Sequence, residues 1–524
     1  MEKKSISMIR KNLNYKEADK TICWWEYIGA VLLGLSIMYF FLYRTGTCSS
    51  GYHFLDDHEL VRAEYAFREQ GVSLWSMLRS AVLGDLGWRY RPFYWVERTI
   101  GEYLWGSNLY AWNLYTAGKG VLCAFLLYLT ARNFYVNRIC SILFTTIIMV
   151  GQQFVPWYRS ANQESLGLLL LSAALFLITG QYHQKREKSL VYDIGIAVFA
   201  ILAALTKESF LLVLPAVMGL KFWLAFWEKE TTRTVGKRIG TCLKQGLICY
   251  IPALLVFLIS CYLLLFVVGV DKVSYAGFDE SVSLSTYFYG IRDTLSYYLK
   301  WYTVFGGAAV FLVLMCYQLA ERDKIWKLAG FCLLALYVMG IELVAHAKSL
   351  MTGRYIIPYI VGYACLIVLL GYHYFKKDSF RRRVYTAGLC LLLLLQVPAA
   401  YSGARDYAYE GKMTALYFQA IMDRVPQDGV IIAAIEDEEL DLSTASWLEV
   451  HGWTQVFYYD RNTEELTDQV QLIKVQEEVP SWEAADLAIC YGDMVQTVVE
   501  KMGLNGEDSY GTEEYQGCYL VYRK

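Results

Sequence analysis

Charge is what this chain has least of. Asp, Glu, Lys and Arg make up only 19% of its 524 residues, while 56% are hydrophobic and 16% aromatic. A soluble globular chain has no use for that much apolar surface, so a soluble class is excluded. The glycines form neither a phosphate-binding loop nor a dinucleotide fingerprint, which leaves an ATP or soluble nucleotide-sugar site without support. Thirteen cysteines do not imply a disulfide framework, because most fall in or beside apolar runs as small apolar residues. Only Cys48, Cys490 and Cys518 fall on the outer side of the topology set out below, and Cys490–Cys518 is the one candidate bridge. No internal repeat is visible, and no nucleic-acid partner is expected.

What is present is a series of apolar runs. A helix needs about 17–25 mostly apolar residues to cross a hydrocarbon core of ~30 Å. Eleven such runs are expected, near 23–43, 108–130, 139–155, 164–180, 190–205, 209–227, 246–269, 296–319, 328–345, 355–375 and 384–400. The first is too long for a signal peptide and is not followed by a small-residue cleavage site, so it reads as a retained span. Basic residues set the orientation, because they stay on the cytoplasmic side. One set of loops (1–20, 131–138, 181–189, 228–245, 320–327, 376–383) holds 24 Lys and Arg in 71 residues; the opposite set holds 13 in 110. This predicts a cytoplasmic N-terminal tail over 1–22, a transmembrane domain over 23–400 in the plasma membrane, and an exported segment over 401–524. That last segment carries 8 Lys and Arg against 24 Asp and Glu.

The outer side collects the chemistry. A loop of about sixty residues, 44–107, opens with "FLDDHE", placing Asp56 and Asp57 just after the first span. Loops this long inside compact proteins are usually functional. It returns to the membrane through "GWRYRPFYW", with Arg89 and Arg91 among aromatics suited to the headgroup layer. "VPWYRSANQES" carries Arg159 and Glu164, "LTKESFLLVLP" carries Lys207 and Glu208, and "AHAKSLMTGRYIIP" carries His346, Lys348 and Arg354. Charged pairs in short turns at the membrane surface are costly unless partners or a wet cavity receive them. An aspartate beside a reacting hydroxyl can take its proton, and Arg and Lys can stabilise charge growing on a departing phosphate. The second aspartate could instead hold a divalent ion such as Mg or Mn, with Asp56 the candidate ligand. His58 has only His53 as a neighbouring partner, too little for zinc. Lys119, near the middle of the second run, is a functional candidate or the partner of a buried acid such as Glu342.

The acidic pair after the first span, the Arg-Pro of "YRPF", "TKESFLLVLP" and "GRYIIP" together make the chain resemble the GT-C superfamily. These are polytopic glycosyltransferases using polyprenyl-phosphate-linked donors, with protein O-mannosyltransferases and bacterial aminoarabinose transferases among them. The resemblance covers roughly residues 20–400, although "DDHE" departs from the Asp-Glu pair of the mannosyltransferases. It implies catalysis by an outer-loop aspartate, carried here onto Asp57 with Asp56 as competitor. It also implies donor-phosphate contacts by Arg91 and Arg354, which Arg159 and Lys207 would join. Glu208, His58 and His346 would then meet the sugar or the acceptor. The expected partners are a polyprenyl-phosphate sugar, membrane lipid and an extracytoplasmic acceptor: protein, wall polymer or lipid.

After residue 400 short apolar strands alternate with helical stretches, which predicts a small α/β domain of about 110 residues. It contains no catalytic triad, Cys-His pair or metal spacing, so acceptor positioning or a structural cap is expected of it. The rival to a transferase is a transporter or flippase of a lipid-linked sugar or small solute. A transporter would place ionisable groups near the bilayer midplane in repeated halves, whereas here most lie at one surface.

Overall fold

The computed structural model describes residues 22–54, 56–183, 189–228, 235–269, 282–317, 322–349, 353–375, 379–435, 438–460, 463–468, 479–506, 508–515 and 517–524. Apart from Ile22, the tail expected over 1–22 lies outside them. The chain divides into two compact units: Met1–Leu42, Ser80–Val96 and Tyr115–Gly403 form the first, and Tyr43–Arg79, Glu97–Leu114 and Ala404–Lys524 the second. The boundary therefore does not follow residue 400 alone. Two pieces of the long first loop join the C-terminal segment in one unit.

In hydrocarbon every backbone N–H and C=O must be satisfied within the segment, so apolar runs become helices. Helices occur at all eleven expected positions. Among the described residues seven are long and apolar enough to cross a membrane: Trp24–Tyr43, Leu109–Asn133, Gln163–His183, Glu208–Phe226, Val235–Val268, Gly353–His373 and Ser379–Arg424. An eighth is the pair Arg138–Met149 and Gln152–Tyr158, bent by 72°, while Leu190–Ala204 and Ala329–Ala345 are apolar but shorter. The bend falls at Gly151, whose φ of 149° suits only glycine. Gln153 secures it by donating from Nε2 to the carbonyls of Ile147, Val150 and Ile148 at 2.8, 3.1 and 3.2 Å. Those are among the orphan acceptors that any helix end leaves behind.

The last helix, Ser379–Arg424, is continuous over 46 residues. At ~1.5 Å per residue that is about 69 Å, more than twice a hydrocarbon core. Composition ends the apolar run near 400 but does not end the helix.

Two buried polar clusters tie helices of the first unit together. Glu26, 1% exposed, accepts from Arg132 Nε at 2.7 Å, Tyr128 Oη at 3.1 Å and Arg138 Nη2 at 3.3 Å. Beside this tie the first two spans touch backbone to backbone: a Cβ on Gly34 would sit 2.8 Å from Val121 Cα. Lys221 Nζ donates to Asp193 Oδ1 at 2.6 Å and to Gln181 Oε1 at 3.0 Å.

The second unit is built on a six-stranded sheet. Its strands are β1 (Ile431–Ala434), β2 (Val456–Asp460), β3 (Glu465–Thr467), β4 (Leu487–Tyr491), β5 (Tyr510–Tyr515) and β6 (Cys518–Arg523), in the order β3-β2-β1-β4-β6-β5. β1 pairs in parallel with β2 and β4, and the other pairings are antiparallel. β1 reads IIAA and is buried throughout, as a central strand covered on both faces should be. One face packs on Tyr417, Phe418 and Ile421 of the long helix and on the helix Glu438–Val450; the other packs on Val498, Val499 and Met502. Cys490 and Cys518 lie on adjacent strands but in the cores of opposite faces, with no disulfide between them. The strand period of two therefore rules out the expected bridge.

Candidate functional site

In the first unit a cluster of charge forms where three apolar helices start, at Gln163, Glu208 and Gly353. Glu164 is its centre. Its Oε1 accepts from Lys207 Nζ, and Arg354 Nε stands 3.6 Å from the same oxygen. Lys207 is only 1% exposed and its ammonium lies 4.0 Å from the centroid of the Tyr355 ring. It is therefore committed on two sides. Arg354 keeps 24% of its side chain exposed, with its guanidinium 5.3 Å from the same ring. Of the two cations it is the more exposed.

Arg91 enters from the segment just before the helix Pro92–Trp105. It forms a forked pair with Asp85, 2.6 Å from Nη2 and 3.2 Å from Nε to Oδ1, while its backbone N–H donates to Asp85 Oδ2 at 2.8 Å. Nη1 donates to Gln163 Oε1 at 2.7 Å, which joins the arginine to the start of the Glu164 helix. Burial opposes the charge on Arg91, but the Asp85 carboxylate outweighs it and raises the guanidinium above its ordinary value. Arg89 is pulled below its ordinary value by burial, against the attraction of Glu208. Glu208 contributes its field to both arginines. His346 Nδ1 lies 3.4 Å from Glu342 Oε1, and its ring is 5.5 Å from that of Tyr355. Arg91, Lys207, Arg354, Glu208 and His346 are thus brought into one neighbourhood. Arg159 forms none of these pairs, and its Nε is buried without a hydrogen-bond partner among the described residues. Lys119 lies over the Tyr115 ring at 4.5 Å, while Glu342, the acid considered as its partner, has His346 beside it.

The paired aspartates belong to the second unit and differ sharply from each other. Asp57 opens the helix Asp57–Arg68 and is 3% exposed. Its Oδ2 accepts from the His53 backbone N–H at 2.9 Å and lies 3.3 Å from His53 Nδ1. The His53 ring stacks on Tyr407 at 3.7 Å, with Nε2 3.0 Å from the Tyr407 carbonyl. Burial raises the Asp57 carboxyl above its ordinary value, and His53 offsets part of that. Asp56 is half-buried and takes a left-handed backbone conformation, φ 70° and ψ −22°. Such a conformation costs a non-glycine residue about 1–3 kcal/mol and tends to gather at functional sites. The geometry commits Asp57 to its own loop and leaves Asp56 as the accessible carboxylate. His58 is turned inward, with Nδ1 3.1 Å from Ser443 Oγ, and burial holds it below its ordinary value.

A divalent ion at Asp56 would need more ligands than that carboxylate. Among the described residues no three His, Cys, Asp or Glu side chains gather so as to hold a metal. Asp85, Gln163 and Tyr355, which fix the cations in place, carry no signal in the sequence beyond their nearness to Arg91, Glu164 and Arg354.

No family model matches the chain, and no curated protein matches it in sequence. Among solved structures it is similar to the oligosaccharyltransferase of Archaeoglobus fulgidus in the apo form. The TM-score is 0.45 at 12% identity, over 93% of this chain and 73% of that one. It is also similar to the oligosaccharyltransferase AglB of the same organism in complex with an inhibitory peptide and a dolichol-phosphate. There the TM-score is 0.44 at 10% identity, over 96% of this chain and 75% of that one. Likeness at this level decides neither fold nor chemistry.

Proposed function

We propose that this integral membrane protein is a GT-C-type glycosyltransferase that moves a sugar from a polyprenyl-phosphate-linked donor to an extracytoplasmic acceptor. One observation carries the reading: Arg354 and Lys207 gather at Glu164, and Arg91 at the adjacent Gln163, where three apolar helices begin. Helix N-termini favour anions through their unpaired N–H groups, and a partly exposed guanidinium offers a phosphate two parallel hydrogen bonds. Lys207 holds Glu164 and Tyr355 in position, and Arg354 makes the phosphate contact. Such donors act where charge grows in the transition state, which is where electrostatic stabilisation accelerates a reaction.

Asp56 serves as the base. The acceptor O–H gives its proton to the carboxylate, the acceptor oxygen forms a bond to the anomeric carbon, and the bond from that carbon to the phosphate oxygen breaks. The polyprenyl phosphate leaves with the electron pair. Base catalysis of this kind contributes about 10²–10⁴ in rate. Asp56→Asn should lose that factor in kcat, while Asp57→Asn should stay within about tenfold of wild type on the same scale. Arg354→Ala should raise the donor KM, with partial recovery in Arg354→Lys. The assay is transfer from a synthetic polyprenyl-phosphate sugar by purified, monodisperse protein in detergent. Wild-type turnover in both Asp56→Asn and Arg354→Ala would remove the reading.

The second reading, a transporter or flippase, draws on the buried Lys119 in the middle of the span Leu109–Asn133. Ionisable groups at such depth line pathways in transporters. Uptake of a labelled lipid-linked sugar headgroup into proteoliposomes, without transfer, would favour it.

A further inference from the structure

The sheet of the second unit ends in a recess that none of the chemistry above uses. At the ends of β4, β6 and β5, Tyr491, Cys518 and Tyr515 stand side by side in register. A small residue between two tyrosines leaves a gap one ring wide. Three further residues close it. Tyr417 of the long helix lies 6.2 Å from the Tyr515 ring, Phe54 lies 5.4 Å from Tyr417, and Leu440 completes the wall. The space between these side chains is about 360 Å³ with open solvent counted in. Phe54 is two residues before Asp56 in the chain.

The walls are aromatic, but the rim is polar. Tyr515 Oη donates to Glu513 Oε2 at 3.0 Å, and Arg424 pairs with the other oxygen of that carboxylate. Deeper in, Tyr417 Oη is 3.4 Å from Thr444 Oγ1, both buried. A purely hydrocarbon occupant would leave this rim unused. An anionic occupant would enter a segment carrying 8 basic against 24 acidic residues. A pyranose ring meets both demands, since its C–H faces lie against aromatic rings while its hydroxyls reach phenols and a carboxylate at the edge.

We infer that the recess lined by Phe54, Tyr417, Leu440, Tyr491, Tyr515 and Cys518 binds one neutral or amino pyranose ring of the acceptor. The identification of the ring with the acceptor rests on the transferase reading; the binding of a sugar does not. The test is saturation-transfer NMR on the full chain in a detergent without a sugar headgroup, with methyl glucopyranoside, methyl mannopyranoside and methyl N-acetylglucosaminide as probes. Transfer to the C–H protons of at least one is expected from the wild type. It should fall at least about fivefold in Cys518→Phe, which fills the gap, and in Tyr491→Ala, which removes a half-buried wall. Circular dichroism and melting curves establish that each variant is folded, and Tyr491→Phe, which keeps the ring, should retain the signal. Absence of transfer to all three probes in the wild type overturns the inference, as does a signal undiminished in the folded variants. Binding of N-acetyl-tyrosine amide in place of the sugars also overturns it, because the recess would then be a peptide side-chain pocket. Sugar binding without any transferase activity would reject the transferase reading and leave this one standing.

Discussion

The two aspartates show how far neighbours in sequence can diverge in burial and backbone conformation. The pair "DD" was legible as two adjacent acids, but their unlike surroundings were not, because burial and a left-handed φ are tertiary properties. His53 and Asp57 are four apart, but the helix opens only at Asp57, so helical spacing did not announce their contact. Because the folded protein holds the Asp57 proton more tightly than the unfolded chain, that group's contribution to stability is fully present below the ordinary aspartate value. It is lost as pH rises through the raised value. Melting temperatures of wild type and Asp57→Asn, compared from neutral pH into the acid range, should therefore shift in favour of the wild type on acidification. A gap that does not change with pH would mean that Asp57 is not the buried titrating group. At Glu164 the cost of a missing partner is larger. Glu164→Gln leaves the buried Lys207 ammonium uncompensated, which costs about 3–5 kcal/mol, whereas Glu164→Leu with Lys207→Met should recover much of that stability. Unfolding in mixed micelles measures both. Equal loss in the single and double variants would show that packing, not charge, matters there.

Among the elements, apolar runs announced where helices would form, since hydrocarbon leaves the backbone no other choice. They did not announce how the helices would bend or end. "VGQQF" breaks the third run because Gly151 adopts a backbone conformation that side chains resist, and Gln153 turns back to the carbonyls left free by the break. Neither effect changes the hydropathy of the segment. Gly151→Ala would bring its Cβ to 2.5 Å from Gln153 Oε1 and 3.0 Å from Tyr302 Oη, on a backbone that already costs about 1–3 kcal/mol in a non-glycine residue. A drop in melting temperature is expected, together with lower yield in detergent. An unchanged melting curve would show that the bend relaxes without penalty. The end of the last helix was misplaced for a related reason. Residues 401–424 are laced with charge, which stops an apolar run, yet Ala, Glu, Lys, Leu and Met there are good helix formers.

For the whole molecule, the asymmetry of Lys and Arg predicts that the acidic C-terminal segment is exported. A protease added to intact protoplasts should remove a tag placed after Lys524 and spare one placed before Met1. The reverse pattern would invert the topology and put the six-stranded sheet in the cytoplasm. The contact between Glu26 and Arg132 bears on an earlier moment, when the protein is still being made. The two residues are 106 apart in the chain, so at about 5–20 residues per second roughly 5–20 s separate their synthesis. During that interval the first span holds a carboxylate at the edge of the bilayer with its main counter-charge not yet translated. The tie between the first two spans can therefore close only after the second has been made, and a first helix standing alone carries its carboxylate without Arg132.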